Sequence, residues 1–152
     1  MLRLLLPADG NPMGTVFGGV ILDQIDRAAY IAGVRHADGI CLTASFDRVD
    51  FLRPVYVGDI VHFNAQVTYV GTSSMEIWIR VEAERPGVRG RTAVGNAFVT
   101  MVAVDDAKRP RPVAPLALET AEDRRLFAEG EARMRERART RASARPSSPG
   151  EP

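Results

Sequence analysis

The chain has 152 residues, 45% of them hydrophobic and 26% charged, and its 20 basic against 19 acidic side chains leave a formal charge of +1. That size suits one domain burying roughly 70% of its unfolded surface, and argues against a disordered or a two-domain chain. A balance this close to zero supplies no overall field for a polyanion or an anionic bilayer, so neither nucleic acid nor membrane is expected as a partner.

The apolar run that opens the chain stops at Pro7, short of the roughly 7–15 residues of a secretory core. No later stretch approaches the roughly 20 residues of a membrane span. Asp9-Gly10-Asn11-Pro12-Met13-Gly14 is dense in turn residues and reads as a loop. From Gly18 to about Arg35 the apolar positions Ile21, Ile25, Ala28, Ala29 and Ala32 recur at helical spacing, with Gly33 and Gly39 marking the exit. Cys41 is the only cysteine, which rules out an internal disulfide or a thiolate zinc cluster and places the chain in the reducing cytoplasm.

Strands follow. In Ile60–Val70 the positions Val61, Phe63, Ala65, Val67 and Tyr69 alternate with His62, Asn64, Gln66 and Thr68, the period of a half-buried strand. Ser74–Glu84 repeats the pattern with Met75, Ile77, Ile79, Val81 and Ala83. The short link through Gly71-Thr72-Ser73 makes the two an antiparallel hairpin. Ile40–Phe51 and Thr92–Val104 are further β-rich runs. Four antiparallel strands and one helix predict an α+β fold in which a sheet curls around that helix. The domain is expected over 1–106, then a proline-rich connector over 107–118, a charged helix over 119–141 and a disordered tail over 142–152. Residues 119–131 carry 2 basic and 5 acidic side chains and residues 132–152 carry 6 and 2, so the helix reads as solvated and self-paired.

The Gly-rich turn Gly14-Thr15-Val16-Phe17-Gly18-Gly19 opens onto the first helix, whose terminal N–H groups lack intrahelical partners and can hold an oxyanion. Gly18 and Gly19 either admit a substrate to the backbone or permit tight packing of the helix start. Asp26 borders the apolar stripe, where partial desolvation makes a carboxylate a better base; the alternative is a solvated acid, which Asp23 resembles. His36 at the helix exit and His62 on the polar side of a strand have no zinc-site spacing, and no serine sits in a nucleophile elbow. Neither metal nor cofactor is expected.

Asp9-Gly10-Asn11-Pro12-Met13-Gly14-Thr15-Val16-Phe17-Gly18-Gly19, Gln24-Ile25-Asp26, Thr43-Ala44-Ser45, Phe51-Leu52-Arg53-Pro54-Val55, Gly58-Asp59 and Val70-Gly71-Thr72-Ser73-Ser74-Met75 come in one consistent order. Together they resemble the hotdog-fold acyl-CoA thioesterases of the brain acyl-CoA hydrolase type and their short bacterial relatives. The resemblance implies hydrolysis of acyl-CoA to free acid and CoA, at a site between two subunits that joins the loop Asn11 of one to the helix Asp26 of the other. In it Asp26 activates water or attacks directly, Asn11 orients the nucleophile or carbonyl, and the N–H groups of Gly18 and Gly19 hold the oxyanion. Thr72, Ser73 and Ser74 fall on the segment near the pantetheine and phosphates of CoA, which is part of the substrate and not a cofactor. The resemblance also implies a homodimer at minimum and a hexamer built as a trimer of dimers. Met13 and Phe17 depart from a polar residue and a histidine found in relatives, which bears on acyl preference. A non-catalytic acyl-CoA binder is the main alternative; a hotdog dehydratase would need a histidine context that His36 lacks.

Overall fold

The periodic stripe beginning at Gly18 forms helix α1 (Gly18–Ala37), which buries Ile21, Ile25, Ala28, Ala29, Gly33 and Ala37. In this computed structural model, which describes residues 1–144 and side chains through Thr140, α1 lies across a five-stranded antiparallel sheet. Its strands are β1 (Leu2–Leu4), β2 (Cys41–Phe51), β3 (Ile60–Val70), β4 (Ser74–Glu84) and β5 (Thr92–Ala103), in the spatial order β1-β3-β4-β5-β2. The helix does not end at Gly33: that residue sits inside it, where a Cβ would lie 3.5 Å from Ile77 and Met101 and 3.6 Å from the Cys41 sulfur. The chain leaves α1 at Asp38 in a left-handed conformation, and Arg111 Nη2 donates to the Ala37 carbonyl at 2.6 Å.

The alternation of β3 and β4 sorts their side chains as expected, Val61 and Phe63 with Met75, Ile77, Ile79 and Val81 packing beneath α1 almost without exposure. Val99, Met101 and Ala103 of β5 complete this core. Cys41 belongs to it, and burial pushes its thiol up, away from the nucleophilic thiolate. β2 differs. It pairs only with β5, is interrupted by bulges near Ala44 and Asp47, and leaves Leu42, Phe46 and Phe51 exposed along the sheet edge.

After β2 the chain crosses to β3 through a turn locked by Asp59, which is 2% exposed. Its carboxylate accepts Nε and Nη2 of Arg85 at 2.9 and 3.2 Å and the Tyr56 N–H at 2.9 Å, while the Arg85 guanidinium lies over the Tyr56 ring. Burial alone would raise this carboxyl, but the Arg85 and Tyr56 donors outweigh it and hold the group below its ordinary 3.8.

The C-terminal segment corrects one expectation. The connector is extended, yet it is strapped to the domain: Arg111 N–H donates to Ala103 O and Val113 N–H to Thr72 O, and Val113 and Leu116 pack against the core. Helix α2 (Ala121–Ala144) has the surface ion pairs foreseen, such as Arg125 with Glu122 and Glu129, but it is not a solvated rod. It docks on the sheet face opposite α1, where Arg133 pairs with Glu76, which is 1% exposed, and Arg137 pairs with Asp47. The reason is the polar side of the strands: Glu76 and Asp47 point outward, and the Thr68 and Thr100 hydroxyls that donate to them do not balance their charge, which Arg133 and Arg137 of α2 do. Residues 142–144 of the expected tail continue α2; its remainder, 145–152, lies outside the described residues.

Candidate active site

The loop ahead of α1 is shaped by Asn11. Its Oδ1 accepts the N–H groups of Met13 at 2.9 Å and Thr15 at 3.3 Å, and its Nδ2 donates to Thr15 Oγ1 at 2.7 Å. Gly14 takes a φ of 79° to close this turn, and its N–H reaches the Asn11 carbonyl. The loop's base is anchored by Asp9, which is bonded to Arg3 and to the Leu6 N–H. Both ends of the Asn11 amide are therefore engaged within its own loop.

No side chain caps α1 at Phe17, and among the described residues no hydrogen bond ends on the N–H of Gly18 or Gly19. Each glycine fits one of the two expected readings. A Cβ on Gly18 would press on the Phe51 ring at 3.3 Å, whereas one on Gly19 would meet nothing within 4 Å. Gly18 thus serves packing and Gly19 leaves open approach to the free donors.

Asp26, two turns along, is half-buried, and its Oδ1 accepts the Thr43 hydroxyl at 2.7 Å. That contact gives Thr43 a role that its place in Thr43-Ala44-Ser45 does not disclose. Asp23 is exposed and engaged otherwise, bonded to Arg27, which lowers its pKa, and to Gln24, with Arg3 as a looser ion pair at 3.9 Å. With a rise of about 1.5 Å per residue, the donors of Gly18 and Gly19 stand roughly 10–12 Å from Asp26 along the helix. The two also open on separate depressions, one lined by Thr15, Gly18 and Phe51, the other by Asp26, Tyr30 and Thr43. Within one subunit, then, Asp26 and the depression beside the helix start do not face a common space.

Thr72 and Ser73 occupy the β3–β4 turn and Ser74 begins β4. The carbonyls there are engaged, Thr72 O by Val113, Ser73 O by Ala103 and Ser74 O by Gly71, while the three side chains are exposed or half-buried. His36 Nε2 meets the connector carbonyl of Ala114 at 3.0 Å, and the buried His62 meets Glu84. Among the described residues no three His, Cys, Asp or Glu side chains cluster as metal ligands.

The Thioesterase superfamily model matches residues 13–89, half of the chain. The chain belongs to the thioesterase superfamily. Within the superfamily, an acyl-CoA thioester hydrolase of Bacillus subtilis is 40% identical over 119 residues, covering 78% of this chain and 69% of that one. A Helicobacter pylori relative is covered over 64% of its length, so the chain spans about two thirds of these bacterial proteins. Among solved structures, a hexameric acyl-CoA thioesterase superimposes with a TM-score of 0.89 at 39% identity, covering 95% of this chain and 92% of that one. The acyl-CoA hydrolase of Staphylococcus aureus in complex with butyryl-CoA and CoA gives 0.87 at 32% identity, covering 95% and 88%. Single alanine variants of that hydrolase replace an Asn, an Asp and a Thr spaced 15 and 17 residues apart. Asn11, Asp26 and Thr43 have the same spacing here.

Proposed function

We propose that this thioesterase-superfamily chain hydrolyses acyl-CoA to the free acid and CoA, at a site assembled from two subunits. The observation that carries the reading is the Thr43–Asp26 hydrogen bond on a helix whose unbonded N-terminal donors stand beside a different depression from the one Asp26 lines. Asp26 of one subunit and the donors of Gly18 and Gly19 of another would then flank one thioester. Thr43 fixes one carboxylate oxygen and leaves the other to take a proton from water or to attack the carbonyl. Both routes place negative charge on the carbonyl oxygen, which the helix N–H groups receive. Asn11, on the loop that leads into those donors, has a second Nδ2 hydrogen beyond the one given to Thr15, and that hydrogen serves the carbonyl or the nucleophile. Thr72, Ser73 and Ser74 supply hydroxyls for the pantetheine and phosphates. The substrate itself carries CoA, so no separate cofactor enters.

The second subunit has a place to bind. β2 is an edge strand whose N–H and C=O groups on one side await a ladder, with Leu42, Phe46 and Phe51 exposed beside them. Pairing two such edges continues the sheet into a dimer, and the likeness to hexameric thioesterases supports a trimer of dimers. No helix among the described residues is long and apolar enough to cross a membrane, and a lone buried cysteine suits the cytoplasm.

Free-thiol release from a panel of acyl-CoAs tests the activity. Asp26→Asn is expected to lower kcat by about 10²–10⁴-fold, the worth of a positioned base, with CoA binding retained. Undetectable turnover of every chain length by the native protein would leave the non-catalytic binder.

A further inference from the structure

We infer that the C-terminal segment is a clamp that sets the CoA affinity of the β3–β4 turn, with Val113 and Arg133 as its positioning residues. The inference rests on the reading of Thr72, Ser73 and Ser74 as the CoA-binding hairpin.

Two independent sets of contacts converge on this hairpin. At its tip, the Val113 N–H of the connector donates to Thr72 O at 3.0 Å, beside the bond from Ala103 N–H to Ser73 O at 2.9 Å. At its base, α2 lands on the last residues before and the first residues after the turn. Arg133 holds both oxygens of Glu76 at 2.8 and 2.9 Å, Glu76 Oε1 accepts the Thr68 hydroxyl at 2.7 Å, and Phe127 packs on Tyr69 with ring centroids 4.9 Å apart. Tyr69 and Glu76 face each other across the ladder, so helix and hairpin are joined on both strands.

Gly130 makes the fit close. A Cβ there would come within 2.8 Å of Tyr69 Cβ and 2.9 Å of Glu76 Oε1, so the helix backbone rests directly on the hairpin. A buried, bidentate ion pair in such a contact fixes register more than it adds stability. Here the register fixed is that of a turn whose three hydroxyl side chains must meet a flexible, charged ligand. Ordering those groups in advance removes an entropic cost that CoA would otherwise bear on binding. The α2 contacts that hold the hairpin fall on Tyr69 and Glu76, whereas Asp26 takes its hydrogen bond from Thr43, so the clamp acts on binding and not on the chemical step.

The test uses the full chain and two substrates: an acyl-CoA, and the same acyl group on N-acetylcysteamine, which lacks the nucleotide and most of the pantetheine. Because Arg133→Ala strands Glu76 and can cost the fold, the main variant is the neutral pair Glu76→Gln with Arg133→Met, which keeps the volume and leaves no unpaired charge but loses the two-pronged grip. It is expected to raise KM for acyl-CoA, and the calorimetric Kd for CoA, by about tenfold with kcat unchanged, and to leave kcat/KM for the truncated substrate unaltered. Arg133→Lys, which keeps the charge but not the two-pronged grip, falls between. An unchanged CoA affinity in a folded pair variant overturns the clamp, as does a parallel loss on both substrates, which would mark a general defect. A Ser73→Ala, Ser74→Ala variant separates the two levels of the argument: if CoA affinity ignores it, the hairpin assignment fails and the clamp with it; if affinity falls there but not in the pair variant, the clamp alone fails.

Discussion

A site divided between subunits can be tested by arithmetic. Prepare Asn11→Ala and Asp26→Asn as separate proteins, each inactive because every site in its homodimer lacks one group. If a site takes the Asn11 loop from one chain and Asp26 from the other, a mixed dimer holds one doubly damaged site and one intact site. Random reassortment of equal amounts makes half of the dimers mixed, so about a quarter of native sites return. The divided site predicts this result, since the donors at the start of α1 lie roughly 10–12 Å along the helix from Asp26 and beside a different depression. The assay is thiol release before and after the two proteins are dissociated in mild urea and reassembled together, with each protein reassembled alone as the control. Recovery near a quarter supports the divided site. Activity no greater than the sum of the two controls, with mixed dimers demonstrated by differential tags, would refute it.

Three further outcomes follow from the structure. Thr43→Val keeps the shape but removes the 2.7 Å bond to Asp26, and kcat should fall about 10- to 100-fold with KM little changed. Gly33→Ala should stabilise the protein by about 0.5–1 kcal/mol in a urea titration, because its Cβ would make ordinary contacts of 3.5–3.6 Å within a helix; a loss of stability would show that the space is not usable. Asp59→Asn should lower the urea midpoint at neutral pH. Because the native carboxyl lies below its ordinary 3.8, its contribution is complete above that value and fades as the pH falls through the folded-state value. The gap between native and variant should therefore narrow in acid, and a gap independent of pH would contradict the role of the Arg85 pair.

What the chain discloses about itself is unequal. The core side of the sheet was readable because β3 and β4 alternate without interruption, and α1 because its apolar positions keep one period. The polar side was not. Glu76 and Arg133 stand 57 residues apart, and nothing local distinguishes that glutamate from Glu82, which stays near the surface. Nothing local marks Gly130 either, yet its missing side chain is what lets α2 approach. β2 resists reading for a related reason: two bulges break its alternation, so Thr43 could not be assigned to a side of the sheet from spacing alone. Gly33 misled because a glycine late in a helix resembles a stop signal, whereas here it makes room for Ile77 and Met101.

The contact between Glu76 and Arg133 also sets an order of events during synthesis. All five strands and α1 are complete once Ala103 has left the ribosome, and the sheet can close then, with Glu76 still facing water. Only when residue 133 follows does the carboxylate acquire its partner and the outer side of the hairpin become covered. Covering of the hairpin is thus assigned to a stretch made after the whole sheet, so a polypeptide released before residue 133 has all five strands and α1 but leaves the outer side of that turn bare.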